Sequence, residues 1–404
     1  MNRDRSANRP PPADGDEQRI LWTRAIIAGG CAAGLALCPR LWCGPRLYPR
    51  APVWSGLPEL PPALTAVLYA LMFAGLAAII IWRRSGWPVA AFVGLAAVWS
   101  LWDQSRWQPW TYQYVCMLAC LGLAGRGEAV RAGGLNACRL IVAGTYFWSG
   151  VQKANASFVH TVYPWLVEPF VGREVSSLTA NLAYAIPLVE AAVGLALLVP
   201  RLRNVAAGLI CLMHGMIMLS IGPWGHDWNT VVWPWNIAMP LATIVLFARS
   251  PHVSFRELLW GRGAWVQRLA LLAFGIMPML SFWGLWDAYL SASLYSGNTL
   301  KGYLEISAEA RQRLPPEAQA VCENAARGRY RLPLSDWSTQ DLNVPAYPAE
   351  RVIHAVFAGF ARRIARPGEE VQGIILTRPA WPSTDRQEIH IKLSPPPERK
   401  PGGG

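Results

Sequence analysis

Four groups of residues carry side chains able to do chemistry, and Lys153 is the sharpest of them. It is the only lysine between Ile20 and Trp286, where every other basic residue is arginine. Arginine is essentially never deprotonated, whereas a desolvated lysine can lose its proton near neutral pH. Lys153 is therefore the one cation in this stretch able to act as a base; the plainer reading is a lysine snorkelling to a membrane interface. Glu190 lies between Pro187 and Gly194 in an apolar run. A lone carboxylate there must be protonated, paired or beside water. His214 follows in the next apolar run, ahead of a Gly/Pro/Trp turn that holds His226, Asp227 and Asn229 and leads to Trp235-Asn236. The last group, Trp102 to Tyr114, gathers aromatic residues, Trp107 among them, around Asp103 and Arg106. The plain reading of that group is an aromatic belt with a local ion pair.

The elements that must position these residues follow from composition. The chain has 404 residues, 53% apolar and only 15% charged, against about one-quarter charged in average soluble domains. Ile20 to Trp286 holds 18 Lys/Arg and 8 Asp/Glu, whereas Asp287 to Gly404 holds 15 and 13. This pattern excludes a soluble single domain, a coiled coil and a disulfide-dense scaffold. It predicts an all-α polytopic membrane bundle followed by a small α+β soluble domain. The net charge of +12 does not indicate nucleic-acid binding, because the excess lies in the membrane part, where basic residues fix topology.

A membrane helix needs about 20 apolar residues. Ile20–Cys38, Pro61–Trp82, Leu178–Pro200, Arg203–Ile221, Thr230–Phe247 and Leu269–Trp286 satisfy this. Pro88–Leu101, Trp110–Ala124 and Ala137–Val151 are shorter or carry polar interruptions, which makes about nine crossings in all. Placing the N-terminus in the cytoplasm puts eleven basic residues in the inner connections (Arg83, Arg84, Arg126, Arg131, Arg139, Arg201, Arg203, Arg249, Arg256, Arg262 and Arg268). Six then lie outside: Arg40, Arg46, Arg50, Arg106, Lys153 and Arg173. The positive-inside rule favours that orientation, and with nine spans the C-terminal domain is extracytoplasmic. No cleaved signal peptide is read, so the first run is a signal anchor, in the inner membrane if the source is bacterial. The expected organisation is a disordered cytoplasmic tail (1–19), the bundle (20–286), the soluble domain (287–394) and a disordered end (395–404). Within the domain, Gly302–Ile306, Val371–Thr377 and Glu388–Leu393 read as strands, Ala308–Ala326 as a helix broken at Pro315-Pro316, and Ala349–Ile364 as an amphipathic helix.

Eight cysteines are too few and too scattered for a disulfide framework; Cys38 and Cys43 could pair in an oxidising compartment. The Cys/His spacing resembles no metal site. On this topology Asp103, Arg106, Lys153, His226, Asp227, Asn229 and Asn236 gather near the outer face, with Glu190 and His214 beneath. A polar pocket roofed by the C-terminal domain is the expected construction.

The order of motifs resembles the horizontally transferred transmembrane (HTTM), vitamin K-dependent γ-carboxylase-like family over about residues 99–247. The residues that carry the resemblance are Trp102-Asp103…Trp107…Tyr112-x-Tyr114, Tyr146-Phe-Trp-Ser-Gly150-Val-Gln-Lys153, Pro187…Glu190…Gly194 and Met213-His214…Ser220-Ile-Gly222. DoxX/DoxD-like quinone-linked proteins are a more distant resemblance. The carboxylase resemblance implies Lys153 as the base that deprotonates a reduced quinone of the vitamin K type. Glu190 and His214 would support it, while Tyr146, Asp103, Arg106, Trp107, His226, Asp227, Asn229 and Asn236 would shape the pocket. The alternative is a non-catalytic membrane scaffold or assembly factor whose C-terminal domain docks a protein partner. A transporter is disfavoured by the odd helix count and the lack of an internal repeat. The two main readings differ in one geometric requirement. Catalysis needs Lys153, Glu190 and His214 to converge on one open cavity; a scaffold lets them pair locally.

Overall fold

The computed structural model describes residues 14–123, 128–248, 250, 254–260, 265–379 and 383–393. The proline-rich ends lie outside the described residues, as do Arg126, Arg249 and Arg262. The chain is mostly helical, with a small antiparallel sheet in its C-terminal region.

The bundle is made by α1 (Asp14–Leu37), α2 (Pro62–Ile81), α3 (Trp87–Ser100), α4 (Pro109–Leu123), α5 (Glu128–Lys153), α6 (Tyr163–Leu178), α7 (Ala185–Ala196), α8 (Arg203–Ile221), α9 (Trp233–Phe247) and α10 (Trp265–Ala270). Beyond Ala270 the last passage widens over Leu271–Ile276 and tightens over Met277–Trp283. Proline stands in the first turn of α2, α3, α6 and α9, where its missing N–H removes no helical bond and its fixed φ suits the start. Helix α1 begins at Asp14, six residues before the apolar run, so the expected disordered tail is helical from that point.

Buried arginines tie the helix ends together by donating to carbonyls at and just beyond those ends, where helical partners run short. At one end Arg24 reaches the carbonyls of Arg83 (2.8 Å), Ser85 (3.2 Å) and Leu121 (2.6 Å). Arg139 reaches Leu246 (2.9 Å) and Arg203 reaches Leu197 (3.2 Å). At the other end Arg106 donates to Leu41 (3.2 Å), Trp99 (2.7 Å) and Trp42 (3.2 Å). The connections thus sort into two ends. Helices α1, α3, α5, α8 and α10 run toward the Arg106 end, and α2, α4, α7 and α9 run back.

Of the about nine crossings expected, fewer are marked by length and apolar composition alone. Five helices are long and apolar enough to cross a membrane among the described residues: Gly15–Leu37, Pro62–Ile81, Arg203–Ile221, Thr230–Phe247 and Trp265–Trp283. A sixth is made if the pair Phe158–Leu178 and Ala180–Ala196, bent by 98°, counts as one. The run read as a span over Leu178–Pro200 is a short helix, α7, preceded by a tighter turn and by α6. Gly172 in α6, at φ 77°, breaks the helix where only glycine is unstrained.

The C-terminal sheet has five strands: β1 (Lys301–Ile306), β2 (Glu323–Asn324), β3 (Tyr330–Pro333), β4 (Val371–Leu376) and β5 (Glu388–Leu393). Their order is β2-β3-β1-β4-β5, and every neighbouring pair is antiparallel. Helices α11 (Leu334–Leu342) and α12 (Glu350–Arg363) complete the layer. Val352, Ile353, Val356, Phe357 and Phe360 form one apolar stripe of α12 and are buried. The region is seated firmly on the Arg106 end of the bundle. Asp341 accepts from the backbone N–H of Leu47 (2.9 Å) and Tyr48 (2.7 Å). The Tyr48 ring meets Trp337 edge-on at 5.0 Å, and Asn343 donates to the Leu37 carbonyl at 2.8 Å.

Candidate functional site

Helices α5 and α7 meet through two glycines. A Cβ on Gly150 would lie 2.4 Å from the Ala191 nitrogen and 2.5 Å from the Pro187 oxygen. One on Gly194 would lie 2.5 Å from the Phe147 nitrogen. No larger residue fits at either place, so the two backbones touch, as small residues allow between membrane helices. This crossing sets Lys153, one turn beyond Gly150, against Glu190, one turn before Gly194.

Lys153 and Glu190 form a closed ion pair. The Nζ donates to both carboxylate oxygens, at 2.8 and 2.7 Å, and to Ser149 Oγ at 2.8 Å. Their side chains are 11% and 8% exposed. An ammonium has three N–H donors, and here there are three acceptors, all from the protein.

A second network shares the same face of α5. Tyr146 Oη lies 2.8 Å from His214 Nε2, and His214 Nδ1 lies 2.8 Å from Asn236 Oδ1. Asn236 is oriented by its own amide, which donates to the Val232 carbonyl at 2.9 Å. Because Oδ1 only accepts, the neutral ring carries its proton on Nδ1 and takes the Tyr146 hydroxyl proton as a hydrogen bond at Nε2. Tyr146, His214 and Asn236 are all buried. The chain of donors and acceptors ends within the protein.

The remaining expected site residues lie in separate places. Asp103 does not pair with Arg106. It binds Arg46 at 2.6 Å, with both side chains almost fully buried, and accepts from the N–H of Ala51 (3.2 Å) and Ser105 (3.1 Å). Burial by itself would raise its carboxyl; Arg46, Arg106 and the two N–H donors outweigh that and hold it below the usual value. Arg106, beyond its carbonyl contacts, is sandwiched by Trp42 and Trp99, with ring centroids at 5.1 and 4.5 Å. Burial pushes its guanidinium down to about 9, opposed by Asp103. Trp107 is half-buried and donates to the Ser100 carbonyl. His226 stacks on Trp165 at 4.3 Å and bonds its carbonyl at 2.6 Å. Asp227 is exposed, and Asn229, in the left-handed region, donates to Tyr295 Oη at 3.1 Å.

The single polar pocket expected from the sequence is therefore replaced by local networks. Lys153, Glu190, His214, Tyr146 and Asn236 come together between α5, α7, α8 and α9, whereas Asp103, Arg106 and Trp107 staple loops. Two partners escaped the sequence reading. Ser149 is legible in principle, four residues before Lys153 on one helix face. Arg46, from a distant loop, leaves no local signal. All eight cysteines, Cys38 and Cys43 included, are free.

Residues 131–224, from α5 through α8, match a family described as methylamine utilisation protein MauE. Comparison with curated proteins and with solved structures returned no match. The stretch contains Lys153, Glu190 and His214, and its match overturns the resemblance to the HTTM, carboxylase-like and DoxX/DoxD-like families. The physical reason for the misreading is plain: aromatic, glycine and polar residues at these spacings are what two closely crossing membrane helices need, whatever their chemistry. The expectation of a reduced quinone rested on that resemblance. The apolar helices together with the match make the chain an integral membrane protein in contact with the lipid bilayer.

Proposed function

We propose that the protein is a membrane-embedded scaffold that holds its C-terminal region at one membrane face for a protein partner. The observation that carries this is the closure of the Lys153 ammonium on Glu190 and Ser149. Ionisable groups inside a membrane are functional candidates by default, yet these neutralise one another and hold α5 against α7. The rigid seating of the sheet through Asp341, Asn343 and Trp337 supports the same reading, because a presenting surface must not swing.

In this proposal the N-terminus is cytoplasmic and the C-terminal region extracytoplasmic. Arg83, Arg84, Arg201 and Arg268 cluster toward the end opposite the sheet, as the positive-inside rule requires. A C-terminal reporter active only outside the cytoplasm tests the orientation: it should be active.

The MauE match directs the choice of phenotype to methylamine utilisation. A strain lacking the gene, complemented with the double variant Lys153→Met/Glu190→Leu, is the functional test. A scaffold keeps its function when the pair is replaced by apolar side chains of similar size. A double variant that accumulates and folds normally in the membrane but fails to restore growth on methylamine, where wild type does restore it, overturns the proposal and returns chemistry to the pair.

A further inference from the structure

A cavity of about 610 Å³ opens where the last membrane passage gives way to the sheet region, within the roughly 300–1,000 Å³ typical of ligand sites. Its walls are of two kinds. Phe282 and Trp286 form the bundle side, and around them Met279, Phe282, Trp283 and Leu285 stay exposed at 43–72%. A run of exposed apolar side chains at the end of a membrane helix belongs at lipid depth. Across the cavity stand Glu350, Arg351 and His354 of α12, with Arg378 just after β4.

The charges of this wall are not equally available. Arg351 is held by Asp287, at 2.7 Å from Nη1 to Oδ1, and by Gln104 at 2.6 Å. Asp287 also accepts from Tyr347 Oη at 2.8 Å. That pair is internally satisfied. Arg378 has one N–H on the neutral Ser281 carbonyl and shares the field of Asp287 without a hydrogen bond to it; its other N–H groups have no hydrogen-bond partner among the described residues. Among the described residues Glu350 meets one charged partner, His354, at 3.6 Å. The cavity therefore offers one available cation, one available anion and an apolar threshold toward the bilayer.

We infer that this cavity binds the headgroup of an amine-bearing zwitterionic phospholipid. Arg378 takes the phosphate, Glu350 the ammonium, and the acyl chains lie along Phe282, Trp283 and Leu285. A guanidinium matches a phosphate in geometry and charge. The opposite sign of Glu350 is what selects an amine headgroup over a purely anionic one. This inference stands independently of the scaffold proposal, since it rests on residues outside the Lys153 and His214 networks.

The test is native mass spectrometry of the full-length protein in detergent, offered equal amounts of phosphatidylethanolamine and phosphatidylglycerol. One phosphatidylethanolamine is expected to be retained, preferred by about tenfold or more, the effect of a single charge-assisted contact. Glu350→Gln, an exposed change that gives up only the solvent-screened contact with His354, should bring the preference close to unity. Arg378→Gln should lose both lipids, and Arg378→Lys, which keeps the charge, should recover part of the binding. No retained phospholipid, equal retention of both by wild type, or an unchanged preference in Glu350→Gln would each overturn the inference. Soluble glycerophosphoethanolamine separates the headgroup's sources: displacement of the lipid at equal concentration would overturn the membrane origin of the ligand.

Discussion

Replacing Lys153 by methionine leaves the Glu190 carboxylate, 8% exposed, without the ammonium that holds both its oxygens. Breaking a buried pair from one side costs about 3–5 kcal/mol, because the remaining charge stays desolvated. That is roughly two to three and a half powers of ten in the folded-to-unfolded ratio. Glu190→Leu should cost a similar amount by stranding the ammonium. Removing both charges is a different perturbation: replacing a whole buried pair by apolar residues of similar volume is often neutral or stabilising. The double variant Lys153→Met/Glu190→Leu is therefore expected within about 1 kcal/mol of wild type, or above it. The three variants and wild type form a double-mutant cycle, read by denaturant unfolding in mixed micelles with tryptophan fluorescence, for which 21 Trp residues give ample signal. A double variant as unstable as the worse single one would refute the reasoning, since it would mean the two charges do not neutralise each other. A harmless Lys153→Met would refute it as well.

Three further outcomes follow from the same geometry. Gly194→Ala should abolish the α5–α7 contact, because the new Cβ would sit 2.5 Å from the Phe147 nitrogen; size-exclusion profiles of the extracted protein should show aggregation, and a monodisperse peak of wild-type stability would contradict the close crossing. His214→Leu removes the ring that joins the Tyr146 hydroxyl to Asn236 and leaves Asn236 Oδ1 without its donor, and should cost about 1–3 kcal/mol. Tyr146→Phe, which removes the hydroxyl while leaving His214 bound to Asn236, should cost less in the same unfolding assay. The Asp103–Arg46 bridge predicts acid sensitivity. Its carboxyl is held below the ordinary value, so its contribution is complete above about pH 3.9 and is lost as pH falls from there through the folded-state value. Asp103→Asn should remove that part of the acid dependence, measured by unfolding between about pH 5 and 2, and an unchanged acid profile would count against the bridge.

The sequence by itself determined the class of the protein and several of its elements. Scarce charge and long apolar runs require a membrane, because nothing else lets such runs be stable as helices with their side chains exposed. Period-two and period-3.6 patterns located β1, β4 and α12, since each buries residues against a layer and the pattern records which; β5 was legible from its alternation although none of its residues is fully buried. The lone membrane lysine and glutamate were legible as residues needing an explanation. Their partnership was not. It depends on the crossing of α5 and α7 at Gly150 and Gly194, a contact between residues some forty positions apart. No local pattern encodes the angle at which two helices meet.

The same distance hid Arg46 from Asp103 and joined His214 to Tyr146 on one side and Asn236 on the other. Side-chain type states what a residue can do; only tertiary structure fixes which of its hydrogen-bonding groups are already taken. For Lys153 those groups are taken by Glu190 and Ser149, which join α5 to α7, a partnership that no local pattern announces.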